Sequence, residues 1–145
     1  MDYETLSAFI SRHPLLGMGL VGLTVAIFIN ELSPLFRGYK ALRPGELTSL
    51  INRDGALVVD IRAFADFDKG HIPGSKNVLP SQFDPDSKLL AGAKDSPVVV
   101  VCYRGMTASG AAKRLKRAGF TQVSILDGGI EAWQSADLPL VKGRG

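Results

Sequence analysis

One cysteine in this sequence stands where a nucleophile could act. Cys102 directly follows the apolar run 98–101, and the residues after it have the composition of a helix. Open α/β sheets bind their ligands at the carboxyl ends of the strands, which is where Cys102 would lie. A lone cysteine after a strand is also typical of a small buried hydrophobe. The position therefore leaves two interpretations open, a reactive thiol or a core residue.

The residues after Cys102 favour a loop that binds an anion. The segment 102–107 reads Cys-Tyr-Arg-Gly-Met-Thr, and Gly105 permits a backbone turn that a side chain would hinder. We expect the loop amides to point inward and the loop to lead into the positive end of a helix dipole. Both features would stabilise a thiolate, and so they predict a more nucleophilic Cys102.

Alternating strands and helices must position this loop. Three short, β-branched apolar runs predict parallel strands covered on both faces, namely Ala56–Ile61, Pro97–Cys102 and Val123–Leu126. Three stretches between them favour helices, namely Gly45–Asn52, Ser81–Ala93 and Thr107–Ala118. The alternation predicts an α/β fold with a mostly parallel central sheet covered by helices on both faces.

Four segments, in order along the chain, resemble the motifs of the rhodanese-like sulfurtransferases. Cys102–Ala108 is similar to the active-site loop of that family, Cys-Arg-x-Gly-x-Thr/Arg. The other three are the strand end Val58–Arg62, the Gly-His-Ile-Pro-Gly element in Phe67–Asn77, and the closing Gly-Gly-x-x-x-Trp motif in Leu126–Trp133. They occur in the order of the family across residues 45–140, roughly two-thirds of the chain, so the resemblance implies a rhodanese-like domain.

The resemblance also implies a mechanism and a set of site residues. Cys102 would take the outer sulfur of thiosulfate or a similar small sulfur-containing anion as a persulfide and pass it to a thiol or a protein acceptor. No metal or organic cofactor is implied, and any resolving thiol would come from outside the chain. The implied substrate-binding residues are Tyr103, Arg104, Gly105, Met106, Thr107 and Arg62.

Some positions in these motifs depart from the family pattern or have a structural interpretation. Tyr103 stands where arginine is common, which removes one cation, whereas Arg104 keeps a cation where lysine is frequent. Asp60 and Arg62 are expected to anchor the loop by a salt bridge.

Two other function classes compete with the sulfurtransferase. A membrane-tethered binding or adaptor module with little catalysis would keep the same fold. A phosphatase would need Cys-x5-Arg, but Ala108 stands at the arginine position, so the guanidinium that would hold phosphate is missing.

The N-terminal part of the chain predicts a membrane anchor. The run 14–30 carries no charge, and with the apolar residues up to Phe36 it is long enough to span a bilayer as a helix. A signal peptide is disfavoured because the start, Met-Asp-Tyr-Glu, is acidic. A core helix is disfavoured because a helix apolar on every side needs a larger protein around it.

Basic residues around this run predict its orientation and the domain plan. Arg37, Lys40 and Arg43 follow the run, whereas Arg12 precedes it, which places the C-terminal domain in the cytoplasm. With the resemblance, this predicts a single-pass protein of the bacterial inner membrane. The predicted parts are a tail (1–13), a transmembrane helix (14–36), a linker (37–44) and the rhodanese-like domain (45–145). Gly22 and Ala26 have a spacing that suggests a helix partner in the membrane.

Composition excludes several other classes. The 145 residues are 46% hydrophobic and 21% charged, which excludes a disordered chain. One cysteine and two histidines exclude an intramolecular disulfide and a Cys/His zinc cluster. The net charge of +3 is too small to predict nucleic-acid binding.

Overall fold

The computed structural model describes residues 2–36 and 38–143, and the chain divides after Phe36 into two compact units. The first unit consists of helices α1 (Tyr3–Arg12) and α2 (Pro14–Phe36). His13 separates them with a non-helical backbone, as expected for a residue that precedes proline. The two helices approach closely at Gly17, where a Cβ would lie 2.9 Å from Cγ2 of Ile10. Segment 1–13, treated above as a tail, therefore contains a helix.

Helix α2 has the length and composition of a membrane span. Its window Pro14–Ser33 has a mean hydropathy of 1.9, and 6% of that window is buried within the protein. Among the described residues, it is the one helix that is long and apolar enough to cross a bilayer. Arg37, one of the basic residues that predict the orientation, lies outside the described residues.

The second unit is a five-stranded sheet with helices between the strands. The elements in chain order are β1 (Lys40–Leu42), α3 (Pro44–Asp54), β2 (Leu57–Asp60), α4 (Phe64–Lys69), β3 (Lys76–Asn77), a 3-10 turn (Pro80–Gln82), α5 (Lys88–Ala91), β4 (Pro97–Val101), α6 (Ala108–Arg117), β5 (Gln122–Leu126) and α7 (Gly129–Ser135). The strand order is β1-β5-β4-β2-β3, and every pairing in it is parallel. The predicted parallel α/β sheet is confirmed.

Alternate residues of the central strand β4 face opposite cores. Val98 and Val100 pack on one side with Leu115 of α6, and Val99 and Val101 pack on the other with Trp133 of α7. All four valines are fully buried. A strand that is buried on both faces explains why the sequence shows a continuous apolar run here rather than an alternation.

Most predicted elements match the structure, and the differences are one helix predicted too long and four short elements that were not predicted, β1, β3, α4 and α7. The predicted helix Ser81–Ala93 is wrong for most of its length, because only Lys88–Ala91 is α-helical there. Pro85 lacks an N–H, and the Asp84 side chain accepts the N–H of Asp86 at 2.9 Å, which favours a turn over a helix. Strand β1 lies within the segment treated as a linker, and helices α4 and α7 are further additions.

Candidate active site

Cys102 lies at the carboxyl edge of the sheet, where β4 ends. Its side chain is 5% exposed, and the loop after it leads into α6. Because β2, β4 and β5 are parallel, their carboxyl ends meet at this same edge. The chain thus places its one thiol beside the ends of three strands.

The loop bends back so that a backbone amide meets the sulfur. The N–H of Gly105 donates to Sγ of Cys102 at 2.9 Å. Gly105 has φ +91°, a conformation that L side chains rarely adopt, and a Cβ there would lie 3.2 Å from the backbone nitrogen of Gly128. The turn predicted at Gly105 is present, and it directs an N–H group at the thiol.

The first turn of α7 holds the same loop from its other side. The N–H of Ile130 donates to the carbonyl of Cys102 at 2.9 Å, and the N–H of Glu131 donates to the carbonyl of Tyr103 at 3.1 Å. Gly129 has φ +60°, and a Cβ there would lie 2.5 Å from the Tyr103 carbonyl oxygen and would overlap that of Cys102. The loop carbonyls therefore face α7 at a distance that a side chain at residue 129 would not allow.

The loop carbonyls bond to α7, whereas several N–H groups of the loop remain available as hydrogen-bond donors. Among the described residues, the N–H groups of Arg104, Met106 and Thr107 have no hydrogen-bond acceptor. With the N–H of Gly105, they give the loop a set of four backbone donors, of which the Gly105 N–H contacts the thiol. Such a set can hold a negative charge on sulfur or on a bound anion.

The side chains of the loop lie toward solvent. Tyr103 is 54% exposed and Met106 is 82% exposed, and Thr107 is also exposed. The Arg104 guanidinium lies 5.6 Å from the centroid of the Tyr103 ring. Its Nε forms an ion pair with a carboxylate oxygen of Glu131 at 3.2 Å. The one cation of the loop is thus balanced by a carboxylate of α7.

Arg62 is held in a buried ion pair at the end of β2. Its Nη2 lies 2.8 Å from Oδ2 of Asp60, and its Nε donates to the same carboxylate at 3.0 Å. Nη2 also donates to the carbonyl of Gly70 at 2.7 Å, and the Asn77 side chain donates to the carbonyls of Asp60 and Arg62. The salt bridge expected between these two residues is present, and it fixes the strand end beside β4.

A groove of about 510 Å³ lies next to the cysteine loop. It is bounded by α4, α7, the loop and the C-terminal segment, with Arg62, Asp66, Lys69, Gly70, Tyr103, Ile130, Gln134 and Leu140 lining it. Two of the predicted site residues, Arg62 and Tyr103, therefore share one wall of a groove. The Cys102 side chain is not among the lining residues.

His71 has a structural place rather than a position at the thiol. It is fully buried, its ring stacks on Phe67 at a centroid distance of 3.8 Å, and its Nδ1 hydrogen-bonds the Phe67 carbonyl at 2.8 Å. Its backbone exchanges two hydrogen bonds with Val141. The residue thus ties the C-terminal segment to the domain.

Sequence reasoning missed two residues that shape the site, Gly129 and Glu131. Both belong to a motif that was recognised by resemblance, but their contacts with the loop were not expected. The glycine pair Gly128-Gly129 at the start of a helix was the available signal. Glycine there indicates a positive φ or a close backbone approach, and the structure shows both.

Comparison with known proteins gives consistent results for the second unit. Residues 43–136 match the sequence profile of the rhodanese-like domain. A protein of Escherichia coli (strain K12), called uncharacterized protein YibN, is 40% identical over 142 residues, which is 97% of this chain and 99% of that protein. Thiosulfate sulfurtransferase GlpE of Pseudoalteromonas translucida is 33% identical over 68% of this chain and 91% of its own length.

A solved structure agrees with these sequence relatives. The crystal structure of thiosulfate sulfurtransferase from Pseudomonas aeruginosa superposes with a TM-score of 0.66 and 30% identity. The match covers 74% of this chain and 20% of that chain, so it concerns one domain of a longer protein.

Proposed function

Because the chain belongs to the rhodanese-like domain family, we propose that it is a sulfurtransferase that carries sulfane sulfur as a persulfide on Cys102. The donor is thiosulfate or a similar small anion, and the acceptor is a thiol or another thiophilic group. Relatives named thiosulfate sulfurtransferase support this reaction class. The observation that carries the proposal is the 2.9 Å contact between the Gly105 N–H and Sγ of Cys102.

The reaction has two steps at the Cys102 sulfur. In the first, the thiolate attacks the outer sulfur of thiosulfate, a new S–S bond forms, and sulfite leaves with the electron pair of the bond that breaks. In the second, an acceptor thiolate or cyanide attacks the terminal sulfur of the persulfide and restores the Cys102 thiolate. The negative charge lies on the Cys102 sulfur in the thiolate and on the outer sulfur in the persulfide, so fixed N–H donors around these two atoms stabilise both states without rearrangement.

The other loop residues have supporting roles in this proposal. The backbone of Tyr103, Arg104, Gly105, Met106 and Thr107 forms the cradle for the sulfur, and the Arg104 guanidinium contributes the loop's positive charge. Arg62 as a direct substrate contact stays a prediction. What supports it is its place on the groove wall, although the guanidinium is already engaged by Asp60.

Intact mass after incubation with thiosulfate tests the proposal. The wild-type protein should gain one sulfur atom, and Cys102→Ser should gain none. Addition of cyanide should then remove the extra sulfur and release thiocyanate in equal amount. If the wild-type protein gains no sulfur from thiosulfate or from other sulfane donors, the adaptor function is correct instead.

Helix α2 supports a further part of the proposal, namely that the domain is anchored in the inner membrane with its C-terminal unit in the cytoplasm. The large apolar residues of α2 from Leu15 to Leu32 are exposed. In addition, the alignment with YibN runs through this helix, because it covers 97% of the chain. A helix partner at Gly22 and Ala26 stays a prediction.

Carbonate extraction and protease protection test the anchor and its orientation separately. The full chain should stay in the membrane pellet, and the C-terminal unit should be protected in right-side-out spheroplasts. Release by carbonate would contradict the anchor. Digestion of the C-terminal unit from outside would contradict the orientation.

A further inference from the structure

The exposed cation of the cysteine loop is paired with a carboxylate of α7. Nε of Arg104 lies 3.2 Å from an oxygen of Glu131, and the two side chains are 66% and 53% exposed. The backbone N–H of Glu131 also donates to the carbonyl of Tyr103. Glu131 therefore contacts the loop through two groups. Its backbone fixes the position of the loop, and its side chain places a negative charge beside it.

The ion pair between Arg104 and Glu131 contributes little to the stability of the domain. Exposed ion pairs contribute little to stability, and an acidic residue in the first turn of a helix adds only a small stabilisation through the helix dipole. Glutamine at residue 131 would keep the backbone hydrogen bond and the side-chain shape. The charge of Glu131 can therefore be removed without unfolding the domain or releasing the loop.

The same charge acts directly on an anionic donor. Arg104 follows Cys102 by two residues in the same loop, so an anionic donor bound at this loop would compete with Glu131 for the guanidinium. The loop and α7 together present a neutral pair in place of a free cation. Because repulsion by a carboxylate scales with the charge of the donor, a dianion is affected more strongly than a monoanion.

We propose that Glu131 is a specificity-determining residue that weakens the use of dianionic sulfur donors relative to monoanionic ones. This inference rests on the sulfurtransferase function proposed above. It implies that, among the small sulfur-containing anions proposed as donors, the site favours monoanions such as a thiosulfonate or a persulfide over thiosulfate.

Two donors that undergo the same bond cleavage isolate the effect of charge. Thiosulfate is a dianion and releases sulfite, whereas benzenethiosulfonate is a monoanion and releases benzenesulfinate. In both, the Cys102 thiolate attacks the terminal sulfur, and the leaving group takes the electron pair of the broken S–S bond. Steady-state kinetics with cyanide as the acceptor gives kcat/KM for each donor.

The expected effect follows from Coulomb's law at a solvated surface. At a separation of about 6 Å in water, removing one carboxylate charge changes binding of a monoanion by about threefold and of a dianion by about tenfold. Glu131→Gln should therefore raise kcat/KM about tenfold for thiosulfate and about threefold for benzenethiosulfonate. The change should appear in KM rather than in kcat. Added salt screens the carboxylate charge, so the difference between the two fold-changes should become smaller.

Two control variants separate charge from structure. Glu131→Asp keeps the carboxylate and should retain the wild-type preference between the two donors. Asp95→Asn removes the same charge just before β4, about 20 Å along the strand direction from Cys102, and should leave both kcat/KM values unchanged. Thermal denaturation should show that all three variants are folded at the temperature of the assay.

The remaining outcomes contradict either the inference about Glu131 alone or the sulfurtransferase function together with it. If Glu131→Gln changes both donors by the same factor, or changes neither, Glu131 does not set donor preference and the inference is wrong. If the wild-type protein accepts sulfur from neither donor, the sulfurtransferase function itself fails, and the inference fails with it. Loading of Cys102 with an unchanged preference would refute the inference alone.

Discussion

Replacement of Gly129 by alanine should damage both the stability and the chemistry of the domain. The new Cβ would lie 2.5 Å from the carbonyl oxygen of Tyr103 and would overlap that of Cys102. These atoms are backbone, so no side-chain rotation relieves the contact. The loop has to move away from α7, which weakens the hydrogen bonds that Ile130 and Glu131 donate to it.

The magnitude of the effect combines two contributions. A non-glycine residue at φ +60° costs about 1–3 kcal/mol, and crowding against fixed atoms costs about another 1–3 kcal/mol. For a domain of about 100 residues, 1 kcal/mol shifts the melting temperature by about 4–8 °C. Together these contributions amount to about 2–6 kcal/mol, so Gly129→Ala should lower the melting temperature by about 10–50 °C. A displacement of about 1 Å at Cys102 should reduce sulfur transfer by about a hundredfold.

Differential scanning calorimetry and sulfur loading followed by intact mass measure the two effects. Gly92→Ala is the matched control, because Gly92 has φ −75° and a Cβ there would have no heavy atom within 4 Å. That control should be unchanged or slightly more stable, by up to about 1 kcal/mol. A Gly129→Ala protein that melts and loads sulfur like the wild-type protein would refute the close packing of α7 against the loop.

Two further predictions concern charged residues. Arg104→Ala should lower kcat/KM for thiosulfate by about three- to tenfold. The loss is modest because the guanidinium is exposed and already paired with Glu131. An equal loss with benzenethiosulfonate would instead indicate damage to the loop. Asp60→Asn should destabilise the domain by about 3–5 kcal/mol, because it leaves the charge of Arg62 without its buried partner. Urea denaturation measures this effect, and an unchanged midpoint would contradict the prediction.

A strand could be predicted from the sequence where its burial requires a continuous run of apolar residues. The strand β4 is buried on both faces, so its valine run was visible without any knowledge of its neighbours. The edge strand β1 gave no such signal. Its three residues are largely exposed, and they form a strand because they pair with β5, where Lys40 lies opposite Ser124. A pairing partner this distant in sequence leaves no local pattern to recognise.

The candidate site combines contacts within one short segment, which the sequence predicted, with contacts between distant segments, which it did not. The turn at Gly105 and the donor it aims at Cys102 lie within a few residues, and the loop sequence predicted them. The support from Gly129 and the charge of Glu131 come from a segment that folds back onto the loop through the sheet. The resemblance identified that segment as a motif, but spacing alone does not show which loop atoms a distant glycine must accommodate.

The strand order also governs the sequence of events during synthesis. Strand β1 is the first strand to leave the ribosome, yet its neighbour in the sheet is β5, the last. A nascent chain that ends before residue 122 therefore holds β1 without its neighbour and β4 with one edge open. Contacts between segments so far apart in the chain slow folding and prolong the exposure of apolar strands. We expect the unfinished domain to depend on chaperones until β5 has been made and can pair with both β1 and β4.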